Sequence, residues 1–271
     1  MTTTTSRALP SLRSVYRSRA SVELKEFFRQ RESVVFTLLL PVLLLVVFGA
    51  VLDYDIGFGV TFTQYFMAGI IAAGILGASL QNMAISIATE RSDGTLKGLA
   101  GTPMPRSAYF VGKIVQVLAV TLAIIVVLLL IGVAFYDIDL PSGRDWLTFA
   151  WVAALGAAAC TLLGIALSSL AKNGRSASAT VTPFALVLQF ISGVFFQFSS
   201  IPTWMQMVAS FFPLKWMGQG LRSVFLPDVL ARQEPAGTWE LGRVALVLAV
   251  WCVAGLVLCV ATFRWQDRSA G

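Results

Sequence analysis

"ERSDGTLKGLAGTPM", residues 90–104, interrupts an apolar half of the chain. No charged residue occurs from Ile56 to Thr89 before it, and none from Ile114 to Tyr136 after it. Between those runs stand Glu90, Arg91, Asp93 and Lys97, among Gly94, Gly98 and Gly101 and ahead of Pro103 and Pro105. Each flanking run exceeds the length of about 20 residues that crosses a bilayer. A polar, glycine-rich link between two such runs is the bend of a membrane hairpin, and it sets the fold class as an all-α integral membrane protein.

The rest of the composition agrees. Of 271 residues, 57% are hydrophobic and 13% charged, with a mean hydropathy of +0.79. A soluble domain carries about 25% charged residues. A chain this apolar cannot cover itself in water, so lipid is its solvent over much of its length. Hydropathy predicts six transmembrane helices near 33–52, 61–89, 107–135, 146–170, 177–199 and 242–263. The second and third, about 29 residues each, exceed a hydrocarbon core of about 30 Å and must tilt or project from it.

Charge orients the bundle. The N-terminus, residues 90–113, residues 171–176 and the tail from Arg264 hold fifteen of the twenty Lys and Arg residues. The positive-inside rule places these segments, and both termini, in the cytoplasm of a cell whose plasma or inner membrane the chain crosses. The net charge of +6 belongs to this topology and to anionic lipid, not to nucleic acid. Residues 1–32 carry seven Lys or Arg and no apolar signal core, so no cleavable signal is predicted. They read as a cytoplasmic N-terminus bearing an interfacial helix, with Ala20, Leu24, Phe27 and Phe28 on its apolar face. Residues 33–271 form the six-span domain. Residues 200–241, punctuated by Pro202, Pro213 and Pro227, read as two short helices hinged at Pro213, a re-entrant or outer element before the last span. Lys215 and Arg222 oppose a seventh span there, and Trp204 and Trp216 suit the membrane interface.

Several chemistries are missing from the sequence. There is no His, no phosphate-binding GxxxxGK[ST] loop, and almost no charge within the predicted spans. No catalytic group, metal set or cofactor site of its own stands out. Cys160, Cys252 and Cys259 lie in apolar runs and read as packing residues. A chain with no coupling ion and no nucleotide site is passive, or is driven by a partner. Gln81, Asn82, Gln116, Gln189 and Gln197 are uncharged polar residues in the spans; they read either as interhelical hydrogen bonds or as the lining of a substrate path. Gly156, Cys160 and Gly164, four apart, form a small-residue face for close helix packing.

Residues 90–104 start a short helix near Ser92 or Asp93, and the prolines stop it. On topology alone an ordinary loop and a docking element stand level. The stretch "ATERSDGTLKGLAGTPMPRSAYFVGKIV" resembles the segment after the second span of ABC-2 type transporter permeases, the family that includes daunorubicin-type drug exporters. The resemblance lies in Glu90 and Arg91, Gly94 and Thr95, Leu96 and Leu99, Thr102 and Pro103, and Gly112 and Lys113. "ISGVFFQFSSIPTWMQMVASFFPLKWMGQGLRSVF" is similar to that family's outer element. The resemblance implies a permease subunit of an ATP-driven exporter of drug-like or lipid-like cargo. It implies pairing with a second copy or a paralogue, and two cytoplasmic ATPase subunits that bind the ATP and Mg²⁺. Glu90, Arg91, Asp93, Gly94, Thr95, Leu96 and Leu99 would form the ATPase-coupling helix. The interfacial helix, with Leu24, Phe27 and Phe28, would be the family's connecting helix, and Lys172 and Arg175 a second ATPase contact. Gly98 departs from the family, whose members often carry a bulkier or charged residue there. Export of a lipid-linked glycan or another polymer uses the same architecture, and a secondary transporter or channel is the alternative from a different class.

Overall fold

The computed structural model describes residues 11–52 and 54–263. The tail from Arg264, read above as a basic inner segment, lies outside the described residues. The described chain is helical, with one isolated antiparallel bridge, Asp55 to Thr61, in the turn before the helix that starts at Phe62. The first helix is α1, Leu12–Arg29. Among the described residues, five helices are long and apolar enough to cross a membrane: α2, Arg31–Val51; α3, Phe62–Ser92; α5, Arg106–Tyr136; α6, Asp145–Ser168; and α10, Leu241–Thr262. Between α3 and α5 lies the six-residue α4, Thr95–Ala100.

The predicted span 177–199 forms α7, Gly174–Ile191, which is 18 residues long. At about 1.5 Å per residue that is close to 27 Å, just under the hydrocarbon thickness. Its first turns are Ser- and Thr-rich, which makes it less apolar than the other five. It starts with a capping box, in which Asn173 and Ser176 each satisfy the other's backbone N–H. It stops eight residues before its predicted end because Gly193 turns the chain at φ +75°. Residues 194–197 then run irregularly into a short 3₁₀ turn, Phe198–Ser200.

Helix α3 is the core. Nearly every residue from Phe62 to Leu76 is buried, and the helix packs against α2, α5 and α6. Its start is fixed by a capping box between Thr61 and Gln64. Both α2 and α3 widen by one π turn, at Val35–Leu39 and Gly77–Gln81. In α2 the cause is in the sequence: Pro41 has no N–H to offer the preceding turn. The small-residue face of α6 packs inside the chain. A Cβ on Gly164 would sit 2.6 Å from the Leu80 carbonyl oxygen of α3, so glycine there sets how closely the two helices approach. Cys160 on the same face is fully buried.

The element before α10 is two helices broken at Pro213, as expected: α8, Thr203–Phe211, and α9, Pro213–Phe225. At about 14 and 20 Å they are too short to cross. Helix α9 is buried along almost its whole length, against α3, α6 and α10. The two tryptophans therefore part company. Trp204 is exposed, whereas Trp216 is buried, and its indole N–H donates to the Ser210 carbonyl at 2.7 Å. Lys215 and Arg222 are buried too, each with partners. Arg222 pairs with Glu234 at 2.8 Å and lies over the Tyr65 ring, and Lys215 lies over Trp216 and bonds Gln219.

Candidate functional site

The residues singled out around 90–113 gather at one end of the bundle with α1 and the 169–173 loop, here called the basic end. Gly94, at φ +83°, turns the chain out of α3 and into α4. Gly94 is the cap residue of the new helix, and the Asp93 carboxylate just before it accepts from the Thr95 N–H at 3.0 Å. Leu96 is fully buried in a cluster with Met83, Ile87 and Tyr109, and Leu99 and Met104 pack beside it. One buried leucine side chain stabilises by about 2 kcal/mol, and this one pins α4 to the bundle. Asp93, Thr95, Lys97, Gly98 and Ala100 are exposed. A Cβ on Gly98 would meet nothing within 4 Å, so the departure noted at this position leaves the packing of α4 untouched. Helix α4 is thus a short polar face held from beneath by one apolar anchor.

Glu90 and Arg91 face the other way, into the protein. The Arg91 guanidinium donates to the carbonyls of Ser168 and Ala171, which lie at and just beyond the end of α6. It ties the α3–α4 junction to the turn that leads to Lys172 and Arg175, both of which are exposed. Glu90 belongs to a buried ionic cluster. Lys113 of α5 contacts Glu90 directly and Glu23 of α1 at 2.8 Å, and it donates to the Ser86 hydroxyl at 2.7 Å. The Tyr109 hydroxyl donates to Glu90 at 2.8 Å. Arg19 of α1 pairs with Glu23 and lies 4.0 Å from Glu90. Lys113 is 2% exposed and Glu23 is 1%. Burial raises the Glu23 carboxyl above its ordinary value, and Glu90 adds to the rise, while Lys113 and Arg19 oppose it. Three elements, α1, α3 and α5, are thereby held by charges that have no water to fall back on.

Gly112 explains how α1 comes so close. A Cβ there would stand 2.9 Å from Glu23 Cγ and 3.0 Å from Arg19 Cγ. The Gly-Lys pair is therefore one device: glycine admits the helix and lysine locks it. Helix α1 buries Phe27 and half-buries Leu24, but Phe28 is exposed and Glu23 takes a place on the packed face. The apolar stripe read from the sequence is thus split, because the buried face is chosen by ion pairing to α5 as well as by hydrophobicity. Sequence reasoning missed Arg19, Glu23 and Tyr109. Among neighbours such as Lys25, Glu26 and Arg29, a single glutamate looks solvated.

The five amides do not form one path. Asn82 bonds Thr37 of α2 at 3.3 Å, an interhelical link. Gln81 sits half-buried in the π turn of α3, Gln189 is half-buried on α7, and Gln197 is half-buried at the far end near Tyr65 and Glu234. Gln116 is buried on α5, and its Oε1 has no hydrogen-bond partner among the described residues. Gln116 and Asn82 line a cavity of about 150 Å³ at the basic end, with Glu23, Glu26, Phe27 and Glu90. A second cavity of about 610 Å³ lies between α5, α6 and α10, lined almost wholly by apolar side chains.

A bundle of long apolar helices with a short polar helix pinned at one end defines an integral membrane protein. The model of the ABC-2 family transporter proteins matches residues 58–261, and the chain belongs to that family. It is 22% identical over 207 residues to YvfS of Bacillus subtilis (strain 168), named a transport permease, covering 76% of this chain and 84% of that protein. It is 26% identical over 144 residues to YbhR of Escherichia coli (strain K12), named a multidrug ABC transporter permease; that match covers 53% of this chain and 39% of YbhR. Membership makes the chain a membrane transport subunit of an ABC transporter system.

Proposed function

We propose that this chain is the permease of an exporter driven by a separate ATPase, and that its cargo is hydrophobic or amphipathic, drug-like or lipid-like, taken from the cytoplasm or inner leaflet. The observation that carries the reading is the buried Glu23–Lys113–Glu90 cluster directly behind α4. A push on α4 enters α3 through the turn at Gly94, and the cluster passes it to α5 and α1 with little slack, because a buried ion pair is costly to separate. The basic end faces the cytoplasm, with both termini there. The ATPase, which binds the ATP and Mg²⁺, seats on the exposed face of α4, and Lys172 and Arg175 offer a second contact. The exposed apolar faces of α2 and α7 meet lipid and a second copy or paralogue. The apolar cavity between α5, α6 and α10 suits the cargo class, and a lining so poor in polar atoms serves ions badly.

Leu96→Pro tests the reading. It removes the anchor of α4 and breaks a helix of six residues. The chain should still insert in the membrane, while ATP use by the partner no longer responds to cargo. Unchanged ATP-driven transport in this variant removes the coupling role from α4.

A further inference from the structure

The apolar cavity between α5, α6 and α10 has a shape and a chemistry that narrow its occupant. Its floor is one face of α6, where Ala154, Ala157, Ala158 and Thr161 recur at helical spacing. Small side chains there leave depth that larger ones would fill. The floor runs about 16 Å along α6, from Ala154 to Ile165. One wall is about 12 Å of α5, from Phe110 to Leu118, and the other is the last turns of α10 from Leu256. The rims, Ile114 and Leu118 on one side and Leu256 and Val260 on the other, are exposed and apolar, so the groove opens sideways onto lipid. At the basic end Phe110 and Phe263 meet edge to face at 5.1 Å and bridge the two walls. The groove therefore lies lengthwise along the helices, in the half of the bilayer nearest the basic end.

The polar side chains of the lining are already spent. The Thr161 hydroxyl donates to the Ala157 carbonyl at 2.6 Å, and the Cys259 thiol donates to the Leu162 carbonyl at 3.0 Å. The Lys113 ammonium has three donors, and they go to Glu23, Glu90 and Ser86. A polar headgroup placed here would lose its water without a replacement partner. We infer that the groove holds one straight alkyl chain of a cargo amphiphile, drawn from the leaflet at the basic end, with the headgroup left outside at the membrane surface. The inference rests on the permease reading and narrows its cargo to the lipid-like class. An apolar void of about 610 Å³ stays dry when empty, and its walls then lack contacts on one side. A chain arriving from lipid gains those contacts and no hydrophobic free energy, so fit does the selecting. The walls stand close enough for Phe110 and Phe263 to touch, which suits a chain lying along the helices better than a wide ring system. Lys113 is at once part of the wall and the hub of the ion cluster behind α4. A chain in the groove is thereby felt at Glu90, and the partner ATPase receives a report of occupancy.

The test is photo-crosslinking of the full chain, in phospholipid vesicles, to hexadecanol that carries a diazirine in the middle of its chain, with the labelled positions mapped by mass spectrometry. Labelling is expected on α6 between Ala154 and Thr161 and at Cys259 of α10, and excess plain hexadecanol should suppress it. Labelling at Leu246 and Val250, exposed on α10 outside the groove, should not saturate. Ala158 is exposed, so Ala158→Trp fills the groove without entering the core. It should cut the groove labelling about ten-fold, within the cost of overfilling a site; Ala154→Leu serves should that variant not fold. With the partner ATPase added, hexadecanol should raise ATP use in the parent chain and not in Ala158→Trp. Labelling that does not saturate, or that both variants leave unchanged, overturns the site, because ordinary boundary lipid behaves that way. Displacement by pyrene and not by hexadecanol overturns the alkyl chain. Saturable labelling with ATP use unmoved overturns the cargo assignment and leaves a resident lipid. Absent labelling, with ATP-driven transport of another cargo intact, counts against this groove alone. Transport that needs no ATP counts against the permease reading instead.

Discussion

Replacing Lys113 by Met removes one charge and keeps most of the stem. The structure says what is left behind. Glu23 and Glu90 are 1% and 4% exposed, and only Arg19 remains as a cation, paired with Glu23 and 4.0 Å from Glu90. Two carboxylates would share one arginine with almost no water. Removing one partner from a buried ion pair costs about 3–5 kcal/mol, because the other charge is stranded. Lys113→Met should therefore lower the stability of the chain by that amount, read as thermal unfolding in detergent by tryptophan fluorescence. The double variant Lys113→Met, Glu90→Gln should recover at least half of the loss, since one stranded charge is gone; a double-mutant cycle isolates the coupling. A loss under about 1 kcal/mol for the single variant, or a double variant as unstable as the sum of the singles, would refute the cluster as the lock between α1, α3 and α5.

Gly112→Ala puts a methyl group into the Glu23 and Arg19 stems; it should cost about 1–3 kcal/mol and expose α1 to protease, and an equally resistant α1 would contradict the close approach. In α9, burial pushes the Lys215 ammonium down to about 8, a shift that Glu234 partly opposes. The folded chain pays for that charge below pH 8 and ceases to pay as the pH approaches the usual lysine value of about 10.4. Thermal stability should thus rise by roughly 2–3 kcal/mol between pH 8 and 10 relative to a Lys215→Met variant, and parallel pH profiles for the two chains would contradict the assignment.

The spans were legible because charge-free runs of that length have few alternatives, and the ends of α3, α5, α6 and α10 fall within three residues of those read from hydropathy. Helix α7 was overextended because Phe195 and Phe196 continue the apolar run past Gly193, whose left-handed turn ends the helix. The break at Pro213 was legible because proline cannot continue a helix; the burial of α9 was not, because Lys215 and Arg222 spoke only against a seventh span and their partners Gln219 and Glu234 show only in the fold. At the basic end a short helix beginning just after Ser92 and Asp93 and ending before Pro103 could be read locally; the burial of Leu96 could not. The inward turn of Glu90 and Arg91 could not, since it depends on Lys113, Tyr109 and the end of α6, which lie 19 to 80 residues away in the chain.

The most direct measurement concerns where the energy enters. The purified chain is reconstituted into sealed vesicles with and without its partner ATPase, and cargo accumulation against a gradient is followed with ATP supplied on the side that carries α4. Uphill accumulation is expected only with both the partner and ATP present, and it should vanish in Leu96→Pro. Accumulation by the chain alone, in vesicles free of ATP, would contradict a permease moved from outside itself.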